Sequence, residues 1–92
     1  MAAQKVVQIK FTKSFQKQFQ KILPKLQSTF FDRLEIFKNN PFQEILNNHS
    51  LRGQWAGFRS INVSGDYRAI YEDLGDSKVK FHAIGTHSQL YG

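Results

Sequence analysis

The stretch WAGFRSINVSGDYRAIYEDLGDSKVKFHAIG, residues 55–85, decides the fold. It contains three runs rich in aromatic and β-branched residues, which are Trp55 to Val63, Tyr67 to Asp73 and Val79 to Gly85. Such a composition is typical of β-strands, and the short glycine-containing connections between the runs favour antiparallel hairpins. The C-terminal part of the chain is therefore predicted to consist of three antiparallel strands.

The segment before these strands indicates one more strand and two helices. Residues 6–11, VVQIKF, alternate as a strand does, and at Thr12 or Lys13 the apolar period changes to that of a helix. The apolar stripe of this first helix is Phe15, Phe19, Ile22 and Leu23. Pro24 opens a second helix that should end near Lys38, before Asn39-Asn40-Pro41. Its buried stripe is Leu26, Phe30, Leu34 and Phe37.

The element order predicts a single α+β domain, β-α-α-β-β-β, spanning residues 1–92. Because the two helices are consecutive, we expect an αα-hairpin on one face of a small, antiparallel-rich sheet, with the other face open. Period-2 alternation places Tyr67, Ala69 and Tyr71 beneath the helices. The residues expected on the open face are Ser60, Asn62, Asp66 and Arg68.

The charge is strongly basic and unevenly placed. Thirteen Lys and Arg stand against seven Asp and Glu, giving a net charge of +6. Six lysines precede the first acid, Asp32: Lys5, Lys10, Lys13, Lys17, Lys21 and Lys25. This charge favours a polyanionic partner, with nucleic acid the first candidate and an acidic protein the second. The alternative is that the charge only aids solubility, with Lys13, Lys17 and Lys21 as a solvated helix face.

The absence of cysteine excludes several classes of chemistry. No disulfide, thiolate metal site or cysteine nucleophile is possible, and a reducing compartment is the simplest location. The three histidines lack metal-ligand spacing, so we expect no metal and no cofactor. Met1 to Val7 lack the apolar run of a signal peptide, and no stretch approaches a membrane span of about 20 apolar residues. We therefore expect a soluble, cytoplasmic protein.

Two segments are recognisable together. HSLRGQWAGFRSINVSGDYRAIYED, residues 49–73, and IGTHSQLYG, residues 84–92, combine the patterns HxLxG, GDYRxIY and GTHSxLY. This combination resembles the RelE/YafQ superfamily of bacterial type II toxins, and most of all its YafQ-like branch. The resemblance implies a small mRNA interferase that enters the ribosomal A site and cuts the message without a metal. It also implies a cognate antitoxin as partner.

The resemblance suggests which residues act. In the YafQ-like pattern the functional positions match His49, Asp66, His87 and Tyr91. Arg68 instead resembles the catalytic arginine of the RelE branch. There are two departures, because Asn62 stands where the pattern has a histidine and Ala83 where it has an arginine.

These residue types suit RNA cleavage, which needs a base for the 2′-OH, an acid for the leaving 5′ oxygen and cations for the phosphate. We predict His87 as the acid, Asp66 or His49 as the base or its orienter, and Arg68 as the phosphate ligand, since its planar fork holds two oxygens. Stacking on unpaired bases is a predicted role for the aromatic residues Tyr91, Trp55 and Tyr67. Further RNA contacts are predicted for Arg52, Arg59, Lys13, Lys17 and Lys21.

Each role has a structural alternative. His87 could belong to a chain end without function, and His49 to an inert loop. Asp66 could be only a turn residue, or form a surface ion pair with Arg68. Trp55 could plug the edge of the core.

Two other functions also remain open at this level. One is inhibition of DNA gyrase by binding, as in the related ParE branch. The other is a degenerate toxin that only binds its antitoxin.

Overall fold

The elements follow one another in the predicted order, with two short additions. The computed structural model describes residues 5–92, and its helices and strands are β1 (Gln8–Phe11), α1 (Lys13–Lys21), α2 (Pro24–Asn39), β2 (His49–Ser50), β3 (Arg59–Ser64), β4 (Tyr67–Gly75), β5 (Lys78–Thr86) and α3 (His87–Tyr91). Residues 1–4, part of the N-terminal stretch considered above for a signal peptide, lie outside the described residues. The α+β architecture is confirmed, and the additions are β2 and α3.

The five strands form one mixed sheet. Their order is β1-β5-β4-β3-β2, so the first strand pairs with the last and β2 forms the opposite edge. β1 is parallel to β5, with Gln8 opposite Lys78 and Phe11 opposite Phe81, whereas the other pairs are antiparallel. The chain then turns into α1 at Thr12, whose Oγ1 accepts a hydrogen bond from the Phe15 N–H at 3.0 Å.

The main core lies between the helices and one face of the sheet, and it is built mostly from phenylalanine. Phe30, Phe37 and Phe81 are each at most 1% exposed, and the Phe30 and Phe81 rings meet edge to face at 5.6 Å. Ala69 and Tyr71 are buried in the same core, and Tyr67 packs against it. The predicted facing of β4 is therefore confirmed.

The opposite face of the sheet, here called the outer face, is covered at its centre. Ile70, Ala83 and Leu90 are buried there and form a second core. The half-buried residues packed on it are Leu51, Trp55, Phe58 and Tyr91. The prediction of an open face is thus wrong over this area, because the segment between β2 and β3 and the helix α3 fold back across the strands. Ser60 and Asn62 share this face as predicted, but Ser60 is fully buried.

One local prediction is corrected near these covering segments. The predicted strand from Trp55 begins only at Arg59, because Trp55 lies in a 3-10 turn, Gly53–Trp55. Gly53 and Gly57 on either side have φ of +66° and +92°, values that a strand does not adopt.

The chain end forms the short helix α3, which was not predicted from the sequence. Thr86 caps α3, its Oγ1 accepting from the Gln89 N–H while the Gln89 side chain accepts from the Thr86 N–H. Within residues 5–92, no helix is long and apolar enough to cross a membrane.

Candidate active site

A cleft of about 370 Å³ lies on the outer face between the second core and the β2 edge. Its lining residues are Asn47, His49, Leu51, Arg52, Arg68, His87 and Tyr91. Five of these were predicted as site residues from the sequence. They meet because β2 adds to the edge of the sheet, while the capped turn after β5 brings α3 back over the same face. The lining carries two arginines, two histidines and no carboxylate, so it favours an anion.

His87 is the first residue of α3 and is exposed to solvent. Its main-chain N–H donates to the carbonyl oxygen of Asp66 at 3.1 Å. Its ring packs against the Tyr91 ring, with 4.6 Å between the ring centroids. The imidazole is thus positioned by a neighbouring ring and accessible to a bound molecule, as general acid-base catalysis requires of a group that transfers a proton.

His49 lies across the cleft on β2 and is also exposed. Its Nδ1 lies 2.8 Å from the carbonyl oxygen of Asn47. Because a carbonyl oxygen can only accept, Nδ1 must carry the proton in this hydrogen bond. In the neutral ring, Nε2 then holds the unshared electron pair and can act as a base.

Arg68 is held by the main chain of its own turn. Its Nη1 donates to the carbonyl oxygens of Gly65 at 2.8 Å and Tyr67 at 3.1 Å. The interpretation of Arg68 and Asp66 as a surface ion pair is wrong, since the ion pairs within residues 5–92 are Lys38–Glu35 and His82–Glu72. A guanidinium has five N–H groups, so the others remain for an anion in the cleft.

Asp66 contributes differently from the sequence prediction. It lies in the turn between β3 and β4 rather than on a strand, and its side chain is exposed. Its carbonyl supports His87, while the cleft lining does not include it. Asp66 therefore adjoins the cleft through its main chain, and its side chain is exposed to solvent.

Buried polar atoms without partners occur on the outer face. Among the described residues, these are Ser60 Oγ, Asn62 Oδ1 and the Tyr91 hydroxyl. Buried polar groups in folded proteins nearly always have a hydrogen-bond partner, so these three atoms are unusual. Tyr91 lines the cleft itself, although its hydroxyl oxygen is buried.

Other predicted RNA contacts lie away from the cleft. Arg59 Nε donates to Asn48 Oδ1 at 2.7 Å, and its guanidinium lies 5.2 Å from the centre of the Phe42 ring. Tyr67 packs against the main core on the helix side. The Trp55 indole N–H donates to the Leu90 carbonyl at 3.0 Å, so Trp55 anchors α3 and covers the second core.

The three lysines Lys13, Lys17 and Lys21, here called the lysine stripe, are exposed on α1, in the layer opposite the cleft. Their contact with RNA stays a prediction.

Two residues that line the cleft, Asn47 and Leu51, were not predicted from the sequence. Asn47 has φ +44°, and an asparagine pair before a histidine is a signal for such a left-handed turn. Within residues 5–92, no group of three potential metal-ligating side chains is close enough to hold a metal ion.

Comparison with protein-family models decides the family. The model described as "Bacterial toxin of type II toxin-antitoxin system, YafQ" matches residues 7–92. The chain belongs to the YafQ family. No curated protein matches the sequence closely enough to count as a relative.

Solved structures agree with the YafQ assignment. The crystal structure of YafQ from E. coli is 25% identical, with a TM-score of 0.70 over 91% of this chain and 97% of that one. YafQ in the E. coli DinJ-YafQ toxin-antitoxin complex is 25% identical, with a TM-score of 0.75 over 97% of this chain and 99% of that one. A chain of the toxin-antitoxin complex RelBE2 from Mycobacterium tuberculosis is 18% identical, with a TM-score of 0.75 over 96% of this chain and 99% of that one. This similarity shows the shared fold.

Proposed function

We propose that this YafQ-family toxin is an endoribonuclease that cuts mRNA on the ribosome without a metal ion. The observation that supports it most is the meeting of His49 and His87 in one cleft with Arg52 and Arg68. The histidines come from opposite ends of the C-terminal half of the sequence, and only the fold brings them together. Two imidazoles and two guanidiniums supply the groups that metal-free phosphodiester cleavage needs.

The geometry supports a division of roles. His49 accepts the 2′-OH proton at Nε2, because its Nδ1 is engaged with Asn47. The 2′ oxygen then attacks the phosphorus, and the bond from phosphorus to the 5′ oxygen breaks. His87 gives its proton to that leaving oxygen, so the products are a 2′,3′-cyclic phosphate and a free 5′-OH. Asp66 holds the start of α3, and with it His87, through the main-chain bond, and its carboxylate is exposed to solvent.

The arginines hold the phosphate during this reaction. Arg68 is fixed on one side by Gly65 and Tyr67, so its position does not depend on the substrate. Ala83 cannot serve this purpose, because it has no charge and is buried in the second core. Arg52 and Arg68 together therefore replace the arginine that the YafQ-like pattern carries there, with Tyr91 available to stack on a base.

The proposed partners are mRNA, ribosomal RNA and a cognate antitoxin, all in the cytoplasm. The E. coli YafQ structure with DinJ shows a related toxin bound to its antitoxin. For this chain, the net charge of +6 favours an antitoxin with an acidic or amphipathic binding segment. Large apolar side chains are exposed on the helix layer, with Leu23 at 69% and Phe31 at 53%, and such a segment would cover them.

The test is to map mRNA 5′ ends in translating cells that express the wild type or His87→Ala. We expect new, in-frame ends with the wild type and a loss of about a hundredfold or more in the variant. His82→Gln is the matched control, because His82 pairs with Glu72 outside the cleft, and it should cut like the wild type. Growth arrest with intact messages and DNA damage would instead indicate gyrase inhibition. No toxicity at all would indicate a degenerate toxin.

A further inference from the structure

A polar network lies directly behind His49, and Asn48 is its centre. Asn48 Nδ2 donates to the Pro41 carbonyl at 2.8 Å and to the Tyr71 hydroxyl at 2.7 Å. Its Oδ1 accepts from Arg59 Nε at 2.7 Å. A carbonyl oxygen only accepts and an arginine Nε only donates, so these partners fix the orientation of the amide.

This network, here called the Asn48 network, is anchored in rigid parts of the fold. Tyr71 is 3% exposed on β4, and its ring meets the Phe37 ring at 4.9 Å in the main core. Arg59 is the first residue of β3, with its guanidinium over the Phe42 ring. The Asn48 side chain thus ties an irregular segment to a central strand, to β3 and to Pro41 near the end of α2.

Asn47 and His49, the two neighbours of Asn48 in the sequence, are joined by the hydrogen bond to the imidazole of His49. Asn47 supplies the carbonyl that accepts from Nδ1, and it adopts a left-handed conformation that is uncommon for residues other than glycine. His49 itself pairs with Ser60 of β3. The direction of the Asn47 carbonyl is therefore set by one unusual backbone angle, and the bonds of Asn48 hold the next peptide in place.

We propose that Asn48, held by Arg59 and Tyr71, is the positioning residue of His49. It keeps the Asn47 carbonyl on Nδ1 and so fixes the tautomer in which Nε2 is unprotonated. Asn48 does not line the cleft and touches no substrate. Its catalytic meaning rests on the proposed function, in which Nε2 of His49 takes the 2′-OH proton. The prediction of a single tautomer for the His49 imidazole does not depend on that function.

The experiment measures the His49 tautomer by ¹⁵N NMR of the neutral ring and, separately, ribosome-dependent cleavage. In the wild type we expect the proton on Nδ1. In Asn48→Ala both tautomers should be populated, and kcat should fall by up to about a hundredfold while KM for ribosomes stays the same. Tyr71→Phe removes one bond of the network and should produce a smaller change in the same direction.

Asn39→Ala is the matched control, because the Asn39 side chain also donates to a backbone carbonyl, that of Glu35, but far from His49. It should leave both readouts unchanged. A folded Asn48→Ala protein with the wild-type tautomer would overturn the proposal, as would a shifted tautomer with unchanged cleavage. If Asn48→Ala fails to fold, Tyr71→Phe decides by the same two criteria. A wild type that has the expected tautomer but never cuts mRNA would refute the nuclease function and leave the tautomer assignment standing.

Discussion

The main-chain N–H of His87 donates a hydrogen bond to the carbonyl oxygen of Asp66, with 3.1 Å between the two atoms. This bond joins the start of α3 to the turn between β3 and β4. Two residues that the sequence predicted as catalytic are therefore coupled through the backbone, while the carboxylate of Asp66 stays exposed. Because the main chain makes the contact, the side chain can be changed without breaking it.

Asp66→Asn tests the carboxylate alone. The substitution retains the carbonyl that supports His87 and nearly the same shape. If the carboxylate acts as the base or its orienter, as the sequence predicts, we expect cleavage to fall by about a hundredfold and the free energy of unfolding to stay the same. Single-turnover cleavage and urea unfolding measure the two quantities. Unchanged cleavage would show that Asp66 acts only through its main chain.

Gly65→Ala tests the turn that carries Asp66 and Arg68. Gly65 has φ +51°, a conformation that costs an alanine about 1 to 2 kcal/mol, and its carbonyl accepts from Arg68. We expect reduced stability together with reduced cleavage. Gly75→Ala is the matched control, with φ +83° at the distant end of β4, just before the turn into β5. It should lose similar stability but keep its activity per folded molecule, and equal losses of that activity in both variants would contradict the prediction.

Trp55→Phe separates anchoring of α3 from stacking on a base. The variant keeps an aromatic ring but loses the N–H that donates to the Leu90 carbonyl. We expect a loss of about 1 kcal/mol in the free energy of unfolding and a lower kcat, because α3 carries His87. Phe58→Leu, in the same second core, should reduce stability with less effect on kcat. Full activity in Trp55→Phe would favour the stacking role.

Tyr71 should make stability depend on alkaline pH. Burial raises its pKa above the ordinary value of 10.0, although the hydrogen bond from Asn48 opposes this shift. The folded state then retains the phenol proton to higher pH than the unfolded chain does. The resulting stabilisation is complete below pH 10.0 and is lost as the pH rises through the folded-state pKa.

Urea unfolding of the wild type and of Tyr71→Phe from about pH 8 to pH 11 checks this dependence, because the difference between them cancels other groups that titrate there. We expect the free energy of unfolding of the wild type to fall more steeply with pH. Parallel curves would contradict the prediction.

The lysine stripe of α1 should control the salt dependence of ribosome binding. If Lys13, Lys17 and Lys21 each contact a phosphate, replacing all three by glutamine should reduce the slope of log K against log salt concentration by about 2. Lys78→Gln, at an exposed position on β5, is the control. An unchanged slope in the triple variant would mean that the stripe is only a solvated face.

Strand and helix patterns in the sequence were sufficient to predict the layers of the fold. The alternation of Tyr67, Ala69 and Tyr71 correctly gave the side of the sheet that the helices cover. The covering of the outer face was missed, because Trp55 has strand-like neighbours and only its flanking glycines allow the 3-10 turn. The Thr86-x-x-Gln89 pattern is a capping box and could have predicted α3.

Most residues of the candidate site could be named from the sequence, but their arrangement in space could not be predicted. Residue types and motifs suggested His49, Arg68 and His87, but their meeting depends on a two-residue strand that no periodicity reveals. Arg59 shows the opposite limit. Its charge suggested an RNA contact, but in the structure it forms a hydrogen bond with Asn48. That bond depends on a tertiary contact that cannot be recognised in a single sequence.

The parallel pairing of β1 with β5 affects how the protein is made. Gln8 lies opposite Lys78, so the sheet joins two strands that lie far apart in the sequence. During synthesis the N-terminal strand waits without its neighbour until the last strand has been translated, since contacts so distant in sequence form late. α3, with His87, emerges later still. The first strand of the sheet therefore gains its neighbour only shortly before the segment that carries His87 is made.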